Sequence, residues 1–591
     1  MVKVLSEVIL TVLALPLSGV CAYGQTPTSN YVKTETMLSA DGSRKQTGIQ
    51  YYDKKGRPSQ LVVNGTGNGG WLRSYTEYDS WGRVKKESLP MLAEEGPSHS
   101  VSYDLPSESS MTYNGDGYGW TEYDYDALGR ETSVLGPGFE WFDDDRSVNS
   151  EYGTNGSDEV NKYEAPLGSA QTLVDKGGHY SAGSLSAVRV ENEDGYHTMT
   201  YTNRLGQVVL ERMEDSDGNA DTYYVYDDLG RKRFVLSPMY QATADKEATA
   251  YEYRYDGRGR VVEKILPGCE GTRYWYDTAD RLVFMQDATL RGRGRYRFYL
   301  YDGLGRLCVM GTCTDCDLDA YKDDVRFDKS AQGVAGTGYV QSADRILANP
   351  KIEVVNYYGG YGFLDGNLFS ACPNKYFLRR SGLEIYVSRV LDAKVDTAHV
   401  HGLLTGRVEV MSDGGVKYSA MYYDYRGRKV RTNEVYSSGR SMSTLSCLSF
   451  TGKPEQTLAQ LYDNGRTYKV YGRNTYDAVT DKLVQAVLSV NGAMERTVAD
   501  VSYDRLGRVA SLRRGGNKAS EYTYNIRGWT RTIDAPGFWQ ELLYGNYEVK
   551  DGSPCYDGSV AGMSWRSYGD EVQHNYRFSY DSFGRLEDAY Y

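Results

Sequence analysis

Proline is scarce in this chain, 15 residues of 591, and so are histidine with 6 and tryptophan with 8. So little proline excludes a collagen-like or proline-rich extended chain. No segment beyond residue 24 approaches the ~20 consecutive apolar residues of a membrane-spanning helix, so no mature transmembrane span is expected. Positive charge is also short: 67 Lys and Arg stand against 79 Asp and Glu, a formal charge of −12. A chain of that sign is repelled by nucleic acid and by anionic membrane, so no nucleic-acid partner is expected and any polyanion site must be local.

What is abundant is tyrosine, 55 residues, and glycine, 65. That pairing favours strands joined by tight turns over helices and over disorder. The chain is also far longer than one hydrophobic core supports, which calls for several domains or one extended repeat array.

The N-terminus reads as an export signal over residues 1–24. Lys3 precedes the apolar run Val8 to Leu17, and small residues follow at Ala22 and Gly24. The mature chain then begins near Gln25 and is expected to be secreted or held at the outer cell surface. Lipid anchoring at Cys21 is disfavoured because Val20, not a small residue, precedes it. Seven cysteines remain, Cys269, Cys308, Cys313, Cys316, Cys372, Cys447 and Cys555, an odd number that leaves at least one thiol free or paired outside the chain. Cys313 and Cys316 form a C-x-x-C without a second, well-spaced pair for zinc; local disulfides or buried thiols are expected instead.

Self-similarity decides the architecture. Tyr-Asp-x-x-Gly-Arg occurs nine times, with its turn residues at Asp53 and Gly56, Asp79 and Gly82, Asp126 and Gly129, Asp227 and Gly230, Asp256 and Gly259, Asp302 and Gly305, Asp424 and Gly427, Asp504 and Gly507, and Asp581 and Gly584. Degenerate copies begin at Tyr201, where Gln207 replaces Arg, at Tyr276, where Asp280 replaces Gly, and at Tyr524, where Trp529 replaces Arg. A spacing of roughly 20–30 residues suits two strands and a turn. Asp at the first turn position caps a backbone N–H two residues on, and Gly at the fourth takes the left-handed conformation that closes a bulged hairpin. A second aromatic two residues upstream, as in Tyr253 and Tyr255 or Tyr299 and Tyr301, puts both rings on one strand face. The motif Arg is placed to stack on a neighbouring Tyr and to bridge to a turn Asp. An all-β hairpin array follows, with propeller and β-solenoid left open by spacing alone.

These copies resemble the YD-repeat or RHS family of large secreted proteins, and the resemblance covers nearly the whole chain after residue 24. Asn30 to Thr34, the copy at Tyr52 running into Pro58, and Leu89-Pro90 resemble the N-terminal domain of unknown function (DUF6443-like) of its Bacteroidetes branch. Gly402 to Gly406, Tyr524 to Trp529 and Gly562 to Arg566 are similar to further signatures of that branch. The resemblance implies a long antiparallel sheet that spirals into a hollow shell, part of a polymorphic-toxin-like system, enclosing a C-terminal polypeptide cargo. Members with cargo continue into a core segment with an Asp-Pro-x-Gly signature and a variable effector. Here the sequence stops at Tyr591, six residues after Arg585, so self-cleavage and toxicity are not carried over, and a core or effector encoded downstream is the expected partner. The expected organisation is an N-terminal domain over 25–160, repeats over 161–310, a diverged or inserted β segment over 311–415, and repeats again over 416–591.

Chemistry-bearing patterns are thin, and neither an enzyme nor a cofactor is expected. Glu140 with Asp143-Asp144-Asp145 could be read as a glycosidase pair only if two carboxyls converge in space. His399 and His401 share a face if that stretch is a strand. Asp215-x-Asp217-x-Asn219-x-Asp221 opens like a calcium loop but has Ala220 and Tyr226 where Gly and Glu belong. Arg291, Arg293, Arg295 and Arg297 alternate so that on a strand all four would face one way, a candidate grip for a polyanion or glycan. Two readings stay open: a non-catalytic shell or carrier, and a cell-surface adhesin that binds glycans. For the shell the expectation is a partial curved wall with an open C-terminal edge after Leu586 to Tyr591. The competing outcome is a return of the copies from 423 to 580 onto the N-terminal repeats.

Overall fold

The computed structural model describes residues 30–64, 70–93, 96, 99–100, 102–167, 172–214, 218–314, 324–341, 347–365, 371–379, 397–515, 518–545, 554–567, 569 and 572–591. The export signal, Cys21, Cys316 and the Asp215 and Asp217 positions of the calcium-like run lie outside the described residues.

The chain is nearly all antiparallel β: among the described residues 36 strands form one sheet, and two small two-stranded sheets, Asn161–Glu164 with Val174–His179 and Arg326–Phe327 with Tyr339–Val340, lie beside it. Most strands pair with the one that follows in sequence. Tyr296–Tyr301, for example, lies between Leu282–Gln286 and Leu307–Cys313. The exceptions skip a short excursion, as where Ser147–Thr154 pairs with Ser186–Glu191 and Val84–Ser88 with Trp120–Tyr125. The meander runs through the expected boundary at 310 and through the expected insertion. Lys351–Tyr358 joins Leu307–Cys313 on one side and Leu404–Val410 on the other, which in turn pairs with Val416–Tyr423. What is inserted are excursions between these strands, and they cover one sheet face. Tyr339, Phe363 and Leu378 from the excursions are buried with Phe284, Phe298, Val309, Tyr357 and Val435 from the sheet in the largest core.

Strict alternation of direction places every Tyr-Asp-x-x-Gly-Arg turn on one rim of the sheet, the motif rim. The intervening connections, such as 38–44, 89–119, 136–146 and 192–196, lie on the opposite, far rim. The motif turn explains the order. Asp53 N–H donates to the Arg57 carbonyl and Gly56 N–H to the Asp53 carbonyl, at 2.8 and 3.0 Å, and the ladder shifts register at Tyr51/Tyr52. This is a type I turn followed by a bulge that needs a left-handed residue in fourth place. The nine motif glycines supply it, with φ from 69° at Gly584 to 91° at Gly82, and Asp280 adopts 62° where Gly is missing.

The sheet comes round onto itself. Motif-rim turns of the last repeats rest on far-rim connections of the first ones, in matching order along the chain. Arg44 donates to the carbonyls of Asp477 and Ala478, Ile526 is buried with Met91, Tyr113 and Trp120, Arg527 donates to the Pro137 carbonyl, and Tyr196 donates to the Tyr580 carbonyl. The expected open wall is therefore corrected in favour of its alternative: the repeats beyond 423 return to the N-terminal ones. The physical reason is that the later turn tips carry Ile526, Arg527 and Tyr556, which are buried only against that far rim. Leu586–Tyr590 pairs with His574–Tyr580 and has no second strand beside it among the described residues.

Candidate functional site: turn clasps and the seam

Each motif residue has two tasks, one within its own turn and one toward the next. In the turn, Asp53 Oδ1 accepts the N–H groups of Lys55 and Arg57 at 2.8 and 2.9 Å, and Oδ2 accepts Arg57 Nε at 2.9 Å. The backbone N–H of Arg57 and then its side chain hold the Asp53 carboxyl below its ordinary range, and Arg130 does the same for Asp126. Toward the next repeat, the Arg57 guanidinium lies over the Tyr78 ring at 4.0 Å, and the Tyr78 hydroxyl donates back to the Pro58 carbonyl at 2.7 Å. The same clasp recurs: Arg260 stacks on Tyr276 at 4.9 Å and donates to the Asp277 carbonyl at 2.9 Å, and Tyr276 donates to the Val261 carbonyl at 2.8 Å. So the motif fastens neighbouring hairpins to each other as well as closing its own.

Some clasp members were missed in the sequence because their own turns diverge from the motif. Tyr152, Tyr358, Tyr476 and Tyr544 donate to the carbonyls of Glu131, Leu307, Pro454 and Thr530 in the same way. The only signal available for them was an aromatic at repeat spacing after the preceding motif. Two tests follow. Tyr276→Phe, which deletes only the hydroxyl, is expected to cost about 0.5–1.5 kcal/mol, and an unchanged thermal midpoint would contradict the clasp. Gly259→Val forces a β-branched residue to φ 82° and should cost on the order of 1–2 kcal/mol locally. The check is hydrogen exchange at the 256–260 turn, where unaltered protection would count against it.

The seam is the second element. Arg527 is mostly buried, its side chain 12% exposed, and stacks on Trp141 at 3.9 Å, donates to the Pro137 carbonyl at 2.9 Å and pairs with Glu193 at 2.6 Å. Burial works against both charges, lowering the pKa of Arg527 and raising that of Glu193. A Cβ at Gly136 would lie 2.3 Å from Arg527 Nη2, so glycine there makes room for the guanidinium. Nearby, Asp194 accepts the N–H groups of Tyr556 and Asp557 at 2.6 and 3.1 Å. The Tyr556 hydroxyl donates to Asp144, the Trp141 indole donates to the Tyr556 carbonyl at 3.1 Å, and Arg146 lies over the Tyr556 ring at 4.6 Å.

Burial, with the Asp557 charge adding to it, pushes Asp194 up to about 6. Its folded-state pKa is thus raised above the ordinary 3.8, so the folded state binds the proton more tightly. Its stabilising share is present below pH 4 and is lost as pH rises through about 6. The turn carboxyls such as Asp53 shift the other way, and their contribution is present above the ordinary 3.8 and lost as pH falls below it. Limited proteolysis at 136–146 is therefore expected to be slower at pH 5 than at pH 7. Equal rates, after correction for protease activity, would exclude the Asp194 contribution.

The remaining candidates separate. The four arginines do not share a strand face. Asp287 caps a short helix, Ala288–Gly292, that contains Arg291, and Gly294 turns the chain at φ 60° before the strand starts at Tyr296. Arg291 pairs with Glu270, Arg295 donates to Thr312 and the Asn349 carbonyl, and Arg297 pairs with Glu353, while Arg293 is exposed. Three of the four are thus spent inside the fold. His399 and His401 lie in an exposed bend and turn, not on a strand, so the shared face does not exist. Asp143 ends the short helix Phe139–Asp143 and Asp144 serves the seam. Cys269, Cys308, Cys313, Cys372, Cys447 and Cys555 are thiols, and burial pushes Cys308 up to about 11. No group of three metal-ligating side chains occurs among the described residues, and no helix of the described residues is long and apolar enough to cross a membrane.

A long antiparallel sheet that comes round and seats the motif rim of its last repeats on the far rim of its first defines a spiralling β-hairpin array. Residues 25–154 match the family described as a domain of unknown function, DUF6443. Three solved structures share the fold at 13% identity each. The TcdB2-TccC3 structure without the hypervariable C-terminal region has a TM-score of 0.62, with 99% of this chain and 25% of that chain covered. The Photorhabdus luminescens Tc holotoxin pore has 0.61, with 95% and 24% covered. The TcdB2-TccC3-Cdc42 structure has 0.60, with 98% and 25% covered. This chain thus spans about a quarter of the length of the chains it matches. No curated protein matches significantly.

Proposed function

We propose that this chain is an exported, non-catalytic wall of an RHS-type shell of the Bacteroidetes branch, carrying a polypeptide effector or core encoded downstream. The single observation that carries this reading is the seam. A sheet whose late turns rest on its early connections encloses space, whereas an adhesin needs only an exposed row of repeats. The likeness to toxin structures that include TccC3 supports the same role, as does the match of residues 25–154. Enclosure also gives the clasps a purpose, because a wall one sheet thick has to be held between every pair of hairpins. The decisive experiment is co-expression with the polypeptide encoded immediately downstream. The expected result is a co-purifying complex in which that polypeptide resists a protease that digests it when free. Failure to co-purify, or digestion within the complex, overturns the carrier role.

The adhesin reading has one observation in its favour. An open depression of about 280 Å³ at the seam, half polar and half apolar, is lined by Arg44, Glu455, Gln456, Arg473, Asn474, Thr475 and Tyr476, a mixture of charged, amide, hydroxyl and aromatic groups that a sugar can meet. Glycan-array binding abolished by Asn474→Ala would favour it.

A further inference from the structure

The motif turn fixes where its third residue points. The N–H groups of Trp81, Leu128 and Leu205 are held by Asp79, Asp126 and Asn203 at 2.9 Å, so these side chains project from the rim. They are 84, 79 and 80% exposed, an unusual run of large apolar groups on one edge. The equivalent residue in a later repeat, Leu506, is held by Asp504 in the same way but is packed against the far-rim cluster of Met91, Tyr113 and Trp120. The chain therefore shows what such a tip does when a far rim is available: it docks.

The far rim of the last revolution is apolar too. Met494 is 86% exposed and Val490 51%, both at the connection between Leu483–Val490 and Arg496–Tyr503, and Phe538 begins the strand after the next far-rim turn but one. The chain path links these positions to the tips through the seam. The hairpin of Trp81 leads to the Tyr113 cluster, on which Leu506 sits, and the strand ending at Tyr503 leads from there to Met494. Likewise Leu128 leads through Gly136 and Arg527 to Phe538.

We propose that this chain stacks end to end on a second copy of itself. The motif rim around Trp81 and Leu128 of one copy seats on the far rim around Met494 and Val490 of the other, repeating between chains the contact that Leu506 makes within one. The interface is heterologous, so it leaves one free rim at each end of the stack and allows growth beyond a dimer. Sector by sector it continues the seam already present. The inference is independent of the carrier role, since it requires no cargo.

Sedimentation velocity of the full chain at ~0.15 M salt, where charge repulsion in a −12 protein is screened beyond about 8 Å, tests it. The wild type is expected to show species that grow with concentration. Trp81→Glu/Leu128→Glu blocks one rim and Val490→Glu/Met494→Glu the other, and each variant alone should lose association by at least about tenfold, because a carboxylate would be buried against apolar surface. Mixed, the two variants retain one intact rim each and should form a 1:1 dimer that grows no further. All four sites are more than half exposed, so circular dichroism and the thermal midpoint should stay unchanged. A wild type that is monomeric at every concentration, a variant that still associates alone, or a mixture that stays monomeric overturns the proposal.

Discussion

Replacing Arg527 by methionine is expected to open the seam at a cost of about 3–5 kcal/mol, the range for breaking a buried ion pair by removing one partner. Methionine keeps the length and can still lie against Trp141, but it leaves the mostly buried Glu193 carboxylate, 2.6 Å from the guanidinium in the wild type, without its counter-charge. It also removes the donor to the Pro137 carbonyl. The effect should be local, because the hairpins on either side are still clasped to their neighbours. Hydrogen exchange and limited proteolysis should rise at 136–146 and in the stretch around Tyr556, and small-angle scattering should show a larger radius of gyration, while the 220–310 repeats stay protected. Adding Glu193→Gln removes the unpaired charge and should restore a large part of the loss. If the single and double variants open the seam to the same degree, the ion pair is not what holds it.

The second large effect lies in the main core. Phe363 is buried, stacks on Tyr357 at 4.8 Å, and lies so close to Gly406 that a Cβ there would be 2.3 Å from its ring. Phe363→Ala should cost about 3–5 kcal/mol through lost burial and the cavity left behind. Gly406→Ala should cost about 1–3 kcal/mol through overpacking. Combined, the new methyl group occupies part of the vacated ring volume, so the double variant should be less destabilised than the sum of the two by 1 kcal/mol or more, the coupling expected of residues in contact. Denaturant midpoints of the four proteins measure it. Additive losses would mean that Phe363 and Gly406 do not share the space the structure gives them.

The turns were legible because they are local. Asp-x-x-Gly contains its own hydrogen-bond partners, so Asp256 and Gly259 read the same in the sequence and in the fold. The stacking of Arg on Tyr was legible for the same reason one step further out, since the next repeat is always the next sheet neighbour. The alternation at Arg291 to Arg297 does not make one strand, because its flanks decide the backbone. Asp287 is a helix N-cap and Gly294 a turn residue, and together they end one hairpin and start another. Nor do His399 and His401 share a strand face, since spacing of two defines a face only where the backbone is extended.

The sequence by itself determined the repeating unit: the hairpin, its bulged turn, the direction of every motif tip and the clasp to the next repeat, all of which act over a few tens of residues. Tertiary structure decided what happens once the sheet has wound through several hundred. Arg527 and Trp141 are 386 positions apart, and nothing in either segment specifies the other. Sheet twist and curvature accumulate over every intervening strand, and only their sum brings the Arg527 turn onto the Trp141 connection. Whether a tip such as Leu506 is buried or one such as Trp81 stays exposed follows from that sum, because the turn that presents them is the same.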